Sequence, residues 1–338
     1  MARVIDRSVL TDAKKNKNDE FYTQYVDIEA ELQHYRNHFR GKVVYCNTDT
    51  PSVSNFVKYF IDNFESLGLK KLIATGYTID GVGRGTQLIY TGTAGEKEAF
   101  EAGKIEYTEG DGDFRSGECI KLLKEADIVV TNPPYSLLRE FISYMTSYDK
   151  DFLIIATVNA ITYKDIFKLI QDGKIWLGFG LGRAISGFIV PEHYELYGTE
   201  ARINEKGERI VATNSSLWLT TLDIEKRHQD IPLVSTYAGN EDKYPRYDNL
   251  DGINVNKTKD IPSDFYGLMG VPITFLHKHN PEQFDIIRFR KGDDGKDLRI
   301  NGKSPYFRIV VRRRVDNPSE QHSSRDAELP NGQTLMVY

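Results

Sequence analysis

The sequence has little cysteine: Cys46 and Cys119 are the only two among 338 residues. Two cysteines offer no disulfide framework and no zinc ligand set. No apolar run reaches the roughly 18 residues that a membrane-spanning helix needs, and the apolar core of a signal peptide does not follow the first residues. These absences predict a soluble protein of a reducing cytoplasm, without a metal site.

The sequence also lacks an excess of positive charge. Its 44 lysines and arginines are outnumbered by 49 aspartates and glutamates, so the formal net charge is −5. This balance argues against a protein that coats nucleic acid through a bulk positive field, although local basic patches are compatible with it. An apolar content of 40% is ordinary for a globular enzyme, and 338 residues are enough for two domains.

The most informative stretch is a short apolar strand that ends in a rigid turn. Residues 127–131 read Asp-Ile-Val-Val-Thr, and residues 132–135 read Asn-Pro-Pro-Tyr. Two consecutive prolines hold Asn132 and Pro133 extended, so neither a strand nor a helix continues through them. Ligand sites of open parallel sheets lie at the carboxyl ends of strands. The turn there presents an amide side chain, unpaired carbonyls and an aromatic ring, which suits a planar amino-bearing group.

A second polar turn, Asn-Thr-Asp-Thr-Pro at residues 47–51, follows a predicted buried strand at 42–46. Thr50 is a favourable helix N-cap and Pro51 a favourable first helical residue. Apolar residues then recur on one helical face at Val53, Phe56, Val57, Phe60, Ile61 and Phe64. With another strand predicted at 72–75, the pattern indicates a parallel βαβ unit, and the polar turn lies at its carboxyl edge.

The residue composition of the chain changes near residue 230. Before it, strands are predicted at 151–157, 175–179, 185–190 and 217–222, with a helix at 163–170 and an exposed excursion at 191–209. After it, prolines recur and polar loops separate short apolar runs. Residues 286–290 and 306–314 are predicted as two strands around a turn-rich segment.

Several stretches resemble one family. Asn-Pro-Pro-Tyr after a buried strand is similar to the motif of S-adenosylmethionine-dependent amino methyltransferases, which act on adenine, guanine or glutamine nitrogens. Further stretches resemble the EcoRI-type adenine-specific DNA methyltransferases. They are residues 17–24 (Lys-Asn-Asp-Glu-Phe-Tyr-Thr-Gln), 42–47, 54–56, 68–73, 260–262, 270–276 (Gly-Val-Pro-Ile-Thr-Phe-Leu) and 280–284 (Asn-Pro-Glu-Gln-Phe). Together these stretches span most of residues 17–314.

The resemblance implies an α/β fold: a Rossmann-like S-adenosylmethionine-dependent methyltransferase fold, with a mostly parallel sheet and helices on both faces, plus a C-terminal target-recognition region. The domains expected are a catalytic domain over 1–230 with an N-terminal cofactor-binding segment, a DNA target-recognition region over 231–314 and a polar tail over 315–338. The activity implied is site-specific methylation of adenine N6 in duplex DNA, in restriction-modification or in phage or host DNA protection.

The same resemblance implies partners and cofactor contacts. The partner is double-stranded DNA, with no membrane and a monomeric enzyme. The family is also compatible with a cognate restriction endonuclease encoded nearby. We expect no stable complex between that endonuclease and this chain. S-adenosylmethionine contacts are implied for Phe21, Tyr22 and Thr23 at its methionine end, for Asn47 and Asp49 at its amino-acid or ribose portion, and for Asp113 and Phe114 at its adenine. The sequence departs from most methyltransferases in two places. It lacks a Gly-rich turn after the first strand, as EcoRI-type enzymes themselves do. It also lacks an acidic residue directly after the second strand, where the nearest acidic residue is Asp80.

In the catalytic turn, the Asn132 side-chain oxygen and the Pro133 carbonyl would each accept one N6–H, Pro134 would stiffen the turn and Tyr135 would stack on a flipped adenine. Three aromatic residues either cover the other face of the base or pack in the core: Trp176, Phe179 and Trp218. Candidates for DNA contacts are the basic residues Arg288, Arg290, Lys291, Arg312, Arg313 and Arg314.

Two alternatives remain open at this point. An amino methyltransferase acting on rRNA or on a protein glutamine explains the Asn-Pro-Pro-Tyr turn equally well, but it does not explain the C-terminal resemblance. A catalytically silent relative that only binds DNA is the non-enzymatic alternative, since the first turn diverges from the usual cofactor loop.

Overall fold

The computed structural model describes residues 21–78, 83–104, 106–180, 185–192, 196, 201–212, 215–290, 298–305 and 307–314. Residues 1–20, the polar tail predicted over 315–338 and Asp80 lie outside these residues. Across the described ranges, no helix is both long and apolar enough to span a bilayer. The chain divides into two compact units, the first formed by Met1–Ile161 with Leu177–Leu222 and the second by Thr162–Trp176 with Asp223–Tyr338.

The strands in chain order are β1 (Tyr22–Thr23), β2 (Val43–Thr48), β3 (Lys71–Gly76), β4 (Thr86–Tyr90), β5 (Glu106–Tyr107), β6 (Ile128–Thr131), β7 (Asp151–Thr157), β8 (Trp176–Leu177), β9 (Phe188–Val190), β10 (Ala201–Ile203), β11 (Arg209–Val211), β12 (Ser216–Thr220), β13 (Gly252–Asn254), β14 (Leu268–Pro272), β15 (Phe284–Arg290) and β16 (Arg308–Arg313). The α-helices are α1 (Tyr25–Leu32), α2 (Asn55–Asp62), α3 (Phe64–Leu67), α4 (Ala94–Glu101), α5 (Gly117–Glu125), α6 (Leu138–Ser147) and α7 (Lys164–Gln171). Short 3-10 helices span Gln33–Phe39, Tyr135–Leu137, Val158–Thr162, Glu225–His228, Glu241–Lys243, Thr258–Asp260 and Ile273–Lys278.

The largest sheet has the strand order β5-β4-β3-β2-β6-β7-β12-β8. Its central strands β3, β2, β6 and β7 are parallel neighbours, whereas β4, β5 and β12 pair antiparallel. The sheet is therefore mixed, and the expectation of a mostly parallel sheet holds only for its centre. Residues 77–85 between β3 and β4 are too few for a parallel crossover, which takes about a dozen residues or more.

The βαβ unit exists, because β2 and β3 pair in parallel, but its helix begins later than predicted. The Thr50 carbonyl accepts from the backbone N–H groups of Val53 and Ser54 in a turn, so Thr50 is not the N-cap. Helix α2 starts at Asn55 with Ser54 at its N-cap, and Phe64 begins a separate short helix. As a result Val53 is 52% exposed rather than part of the buried face.

Among the described residues, each unit contains one further sheet. In the first unit, β1-β9-β11-β10 form an antiparallel sheet that joins the N-terminal strand to the region after β8. In the second unit, the order is β13-β14-β16-β15, and β15 pairs antiparallel with β16 as the sequence predicts. The largest fully buried side chains of the first unit are Trp218, Tyr35, Tyr45, Tyr59, Phe39, Phe56, Phe60, Phe141, Phe152 and Phe188.

Candidate active site

The Asn-Pro-Pro-Tyr turn lies at the carboxyl end of β6, directly between the parallel neighbours β2 and β7. Thr131 is the last residue of β6, Pro133 is buried, and Asn132 is partly buried. A 3-10 turn begins at Tyr135 and leads into α6. The prolines thus end the strand where the sequence predicts, at the sheet edge that binds ligands in open α/β folds.

The amide of Asn132 has a defined orientation. Its Nδ2 donates to the Phe21 carbonyl at 3.0 Å. The opposite orientation would set two oxygens at that distance, which is repulsive. The Asn132 Oδ1 is buried, and no donor in the described part of the chain reaches it. The turn therefore holds a fixed, unused hydrogen-bond acceptor.

The Tyr135 ring is anchored through its hydroxyl. The hydroxyl lies 2.7 Å from Ser216 Oγ on β12. Burial raises the pKa of Tyr135 to about 12, so the phenol stays neutral at physiological pH. A neutral ring held at one end is suited to stacking on a base rather than to proton transfer.

The other three aromatic candidates lie in different environments. Trp218 is 0% exposed and packs edge-on against Phe56 at 6.1 Å between centroids, so core packing is its role. Phe179 is stacked on His34 with centroids 3.3 Å apart. Trp176 lies in the second unit, where its ring is covered by the Arg227 guanidinium at 3.7 Å.

Residues 21–23 border the Asn-Pro-Pro-Tyr turn through the Phe21 carbonyl. Tyr22 and Thr23 form β1 and pair with β9. The Thr23 carbonyl accepts from Asn55 Nδ2 at 2.8 Å, while the buried Thr23 Oγ1 has no partner in the described ranges. Phe21 packs edge-on against Phe188 at 5.8 Å. The bond to the Phe21 carbonyl thus joins Asn132 to a segment 111 positions away in sequence.

The buried carboxylate of Glu31 on α1 was missed by sequence reasoning. It accepts the backbone N–H groups of Phe179 at 2.6 Å and Gly180 at 2.8 Å. It also accepts the Tyr35 hydroxyl at 2.9 Å, and burial is the main cause that raises the pKa of that phenol. Glu31 therefore ties α1 to the segment that follows β8. An acidic residue between apolar neighbours on a helix is the only sequence signal for it.

Asp27, one turn earlier on α1, binds a second part of the same region. Its carboxylate accepts both the backbone N–H and the hydroxyl of Ser186 at 3.0 Å. Gln24 Nε2 adds bonds to Ser186 Oγ at 2.7 Å and to the Gly187 carbonyl at 2.8 Å. Burial raises the pKa of Asp27, against the lowering effect of the Ser186 bonds. The helix that follows residues 21–23 is thereby held in place.

Asn47 and Asp49 lie at the carboxyl end of β2, beside the catalytic turn. Asn47 is buried and its Oδ1 has no partner among the described residues. Asp49 is partly exposed and accepts the Ser54 hydroxyl at 3.3 Å. Unused acceptors at Asn47 and at Asn132 fit a ligand that carries several N–H or O–H donors, as S-adenosylmethionine and adenine do.

Asp113 and Phe114 are already engaged within the chain. Arg115 donates to both carboxylate oxygens of Asp113, at 2.8 and 2.5 Å, and this pairing lowers the pKa of Asp113. Phe114 is buried, edge-on to Phe141 at 5.2 Å and to Tyr144 at 5.8 Å. A cofactor adenine at this place would have to share Asp113 with Arg115.

A β-bulge determines which face of the sheet the basic residues of β15 lie on. The register with β16 shifts between Ile286 and Arg288, so Ile287 is the extra residue. Gln171 Nε2 on α7 donates to the Ile286 and Ile287 carbonyls, at 3.3 and 2.6 Å, and satisfies both. Residues directly opposite in an antiparallel pair share a face. Arg288 opposes Val310 and therefore lies on the face of Arg312, two positions along β16.

The remaining DNA-contact candidates differ in their surroundings. Arg313 donates to the Ser263 carbonyl and lies 5.1 Å from the Tyr266 ring centre. Arg314 Nε donates to Asp285 at 2.8 Å. Only the backbone of Arg290 is described, in β15, and Lys291 lies outside the described residues. Arg313 and Arg314 are thus engaged by groups of their own unit.

A large mixed α/β sheet with an Asn-Pro-Pro-Tyr turn at the carboxyl end of a central strand is consistent with the fold and motif of amino-group methyltransferases. The family described as "Adenine-specific methyltransferase EcoRI" matches residues 9–314. The chain therefore belongs to the EcoRI adenine-specific methyltransferase family.

The relatives match over nearly their whole length. The chain is 61% identical to type II methyltransferase M.EcoRI of Escherichia coli, over 92% of this chain and 98% of that protein. It is 37% identical to type II methyltransferase M.MpnI of Mycoplasma pneumoniae, over 89% of this chain and 97% of that protein. Type II methyltransferase M.MgeORF184P of Mycoplasma genitalium is 36% identical over 89% of this chain and 97% of its own. No solved structure matches the chain significantly.

Proposed function

We propose that this protein methylates the N6 amino group of one adenine within a specific site of duplex DNA, with S-adenosylmethionine as the methyl donor. Membership of an adenine-specific methyltransferase family supports the reaction class. The observation that carries the catalytic assignment is the Asn132 Oδ1, a buried acceptor in the Asn-Pro-Pro-Tyr turn that no described residue uses.

The chemistry follows from the electronic state of adenine. Its N6 is paired and stacked in duplex DNA, so the base must be flipped out before a methyl group can reach it. The N6 lone pair is delocalised into the ring and is a poor nucleophile. Asn132 Oδ1 and the Pro133 carbonyl each accept one N6–H, which favours a more tetrahedral nitrogen whose lone pair is free to react. Positive charge then develops on N6 beside two oxygens that stabilise it.

The other residues of the turn position the base. Pro133 and Pro134 restrict the backbone, so the two acceptors are in place before the reaction. The Phe21 carbonyl keeps the Asn132 amide in the productive orientation. Tyr135 stacks on the flipped adenine, and its bond to Ser216 limits rotation of the ring.

S-Adenosylmethionine, when bound, supplies a methyl group activated by a positively charged sulfur. We assign its methionine end to Phe21, Tyr22 and Thr23, and its amino-acid or ribose portion to Asn47 and Asp49. The orphaned oxygens of Thr23 and Asn47 support this assignment, since buried polar atoms are normally paired. Asp113 and Phe114 are assigned to the adenine of the cofactor, with Arg115 sharing the carboxylate.

We assign target recognition to the C-terminal part of the chain, residues 231–314, and the DNA contacts to Arg288, Arg290, Lys291, Arg312, Arg313 and Arg314. Arg313 and Arg314 would have to share their present partners with the DNA. Arg288 and Arg312 share one face of the β15–β16 pair, which would let both reach one strand of DNA.

Arg312→Ala is expected to reduce the dependence of DNA affinity on salt. Removing one cation from the phosphates lowers the slope of log affinity against log salt concentration by about one. DNA binding would be titrated between about 50 and 200 mM salt, a range in which such ionic contacts change affinity strongly. Arg36→Ala, an exposed arginine of the first unit, is the matched control. An unchanged slope for Arg312→Ala would remove this residue from the interface.

The experiment that tests the function uses the purified full chain with labelled S-adenosylmethionine and duplex DNA. We expect label in N6-methyladenine, confined to one recurring sequence context when modified bases are sequenced. Label in RNA or in protein glutamine instead would contradict the DNA assignment. Absence of transfer together with no S-adenosylmethionine binding by calorimetry would leave only a DNA-binding protein.

The type II names of the relatives support a place in restriction-modification. We propose that the enzyme acts as a monomer on double-stranded DNA in the cytoplasm of a bacterial or phage-infected cell, where that substrate is found. A cognate restriction endonuclease encoded nearby would cut the same site, without forming a stable complex with this chain.

A further inference from the structure

Thr48, the last residue of β2, has an unusual backbone conformation. Its φ is 104°, a region that β-branched residues rarely adopt because Cβ crowds the neighbouring peptide groups. Glycine would adopt this φ without that crowding. Most methyltransferases place glycines just after this strand, and here a threonine occupies the strained position. Its side chain must therefore contribute something that glycine lacks.

The Thr48 hydroxyl contacts the catalytic turn. Its Oγ1 donates to the Asn132 carbonyl at 3.1 Å and lies 2.9 Å from Thr131 Oγ1. The Thr131 hydroxyl in turn donates to the Asn47 carbonyl. Since each hydroxyl has one proton, two protons serve three contacts. A three-centre bond from Thr48 to both Thr131 Oγ1 and the Asn132 carbonyl accounts for all of them.

This arrangement links the end of the proposed cofactor strand to the catalytic turn. Thr131 is buried, at 1% exposure, so water cannot readily replace the hydroxyls. The bond also occupies the Asn132 carbonyl, which leaves the Pro133 carbonyl as the backbone acceptor for an N6–H. A shift of the Asn132 peptide would move both the Asn132 amide and the Pro133 carbonyl.

We propose that Thr48 is a positioning residue for methyl transfer: its hydroxyl, held at positive φ, fixes the Asn132 peptide and couples the end of β2 to the two acceptors of adenine N6. This inference rests on the proposed function. It predicts a residue that acts on the rate of the chemical step and not on the binding of either substrate.

Three substitutions separate the hydroxyl from the strain. Thr48→Val keeps the branched shape and removes the hydroxyl. We expect it to lower the single-turnover rate at saturating S-adenosylmethionine and DNA by about tenfold to a hundredfold, with both dissociation constants within about threefold. Thr48→Ser keeps the hydroxyl and should retain most of the rate. Thr48→Gly relieves the backbone and should lower the rate while Tm stays equal or rises.

Thr220→Val is the matched control. The Thr220 hydroxyl of β12 is also buried, and it donates to the Phe152 carbonyl of the neighbouring strand β7 at 2.7 Å. This bond lies at the amino end of β7. Thr220→Val should lower Tm and leave the saturating rate unchanged. A Thr48→Val rate within about twofold of an active wild type, or rate and Tm falling together in Thr48→Gly, would overturn the inference. A wild type that transfers no methyl group at all would overturn the proposed function, and this inference with it.

Discussion

Asn132→Ala is expected to lower the rate of methyl transfer by about a hundredfold to a thousandfold, the range that loss of one preorganised polar group produces in other active sites. The reason is that Asn132 Oδ1, unused by the described residues, is the side-chain acceptor assigned to the N6 amino group. Binding of S-adenosylmethionine should change little, since Tyr22 and Thr23, which we assign to the cofactor, keep their pairing with β9 and the bond from Asn55. Single-turnover kinetics and calorimetry would measure the two effects separately.

Asn132→Asp refines this test. Aspartate keeps an acceptor oxygen but has no N–H to donate to the Phe21 carbonyl, so the side chain loses the contact that orients it. We expect a rate between those of wild type and Asn132→Ala. Asn63→Ala, which removes an amide that donates to the Tyr59 carbonyl on α2, is the control and should keep the full rate. An active Asn132→Ala enzyme would exclude the proposed mechanism.

Glu31→Ala is expected to cause the largest loss of stability, about 3 kcal/mol, which corresponds to a fall in Tm of about 5 °C. The substitution removes the acceptor of the Gly180 N–H and of the Tyr35 hydroxyl, and it leaves the Phe179 N–H only its longer bond to the Tyr35 hydroxyl at 3.2 Å. Unpaired buried donors are costly because they lose water without gaining a partner. Thermal unfolding followed by circular dichroism would measure the change.

Glu29→Ala provides the control on the same helix, because Glu29 is exposed. Its effect should stay within about 0.5 kcal/mol. Glu31→Gln should also destabilise, since the amide places an NH₂ group where one of the backbone N–H groups now finds an oxygen. If Glu31→Ala unfolded at the same temperature as Glu29→Ala, the carboxylate would not be the tie between α1 and the segment after β8.

The catalytic turn was predictable from sequence because its determinants are local. Two prolines stop a strand and extend the residue before them wherever they stand. The strand before the turn follows from its run of apolar residues, and the structure confirms it. The helix after the turn buries Leu138, Phe141, Ile142 and Met145, which recur at helical spacing. The N-cap of α5 is local in the same way, because the Ser116 hydroxyl accepts the Cys119 N–H three residues later at 3.1 Å.

Local signals were misleading where a tertiary contact competed with them. Thr50 and Pro51 favour a helix start, yet the structure continues the turn to Ser54, whose hydroxyl donates to Asp49. Period-two alternation along β15 places Arg288 on the face of Ile286. The bulge at Ile287 moves Arg288 to the opposite face. The carbonyl of Ile287 in this bulge accepts from the carboxamide of Gln171, which is far away in sequence.

The sequence by itself determined the Asn-Pro-Pro-Tyr turn and the central parallel strands, because these depend on backbone sterics and on short-range hydrophobic pattern. The family was indicated by the resemblance over most of residues 17–314. Only the tertiary structure decided that Asn132 is oriented by the carbonyl of Phe21 and that the Thr48 hydroxyl bonds the same peptide. Such contacts join residues 84 to 111 positions apart. The Thr48 contact depends on the pairing of β2 with β6, and the Phe21 contact on the packing of β1, a strand of another sheet, beside the turn. No local pattern encodes either.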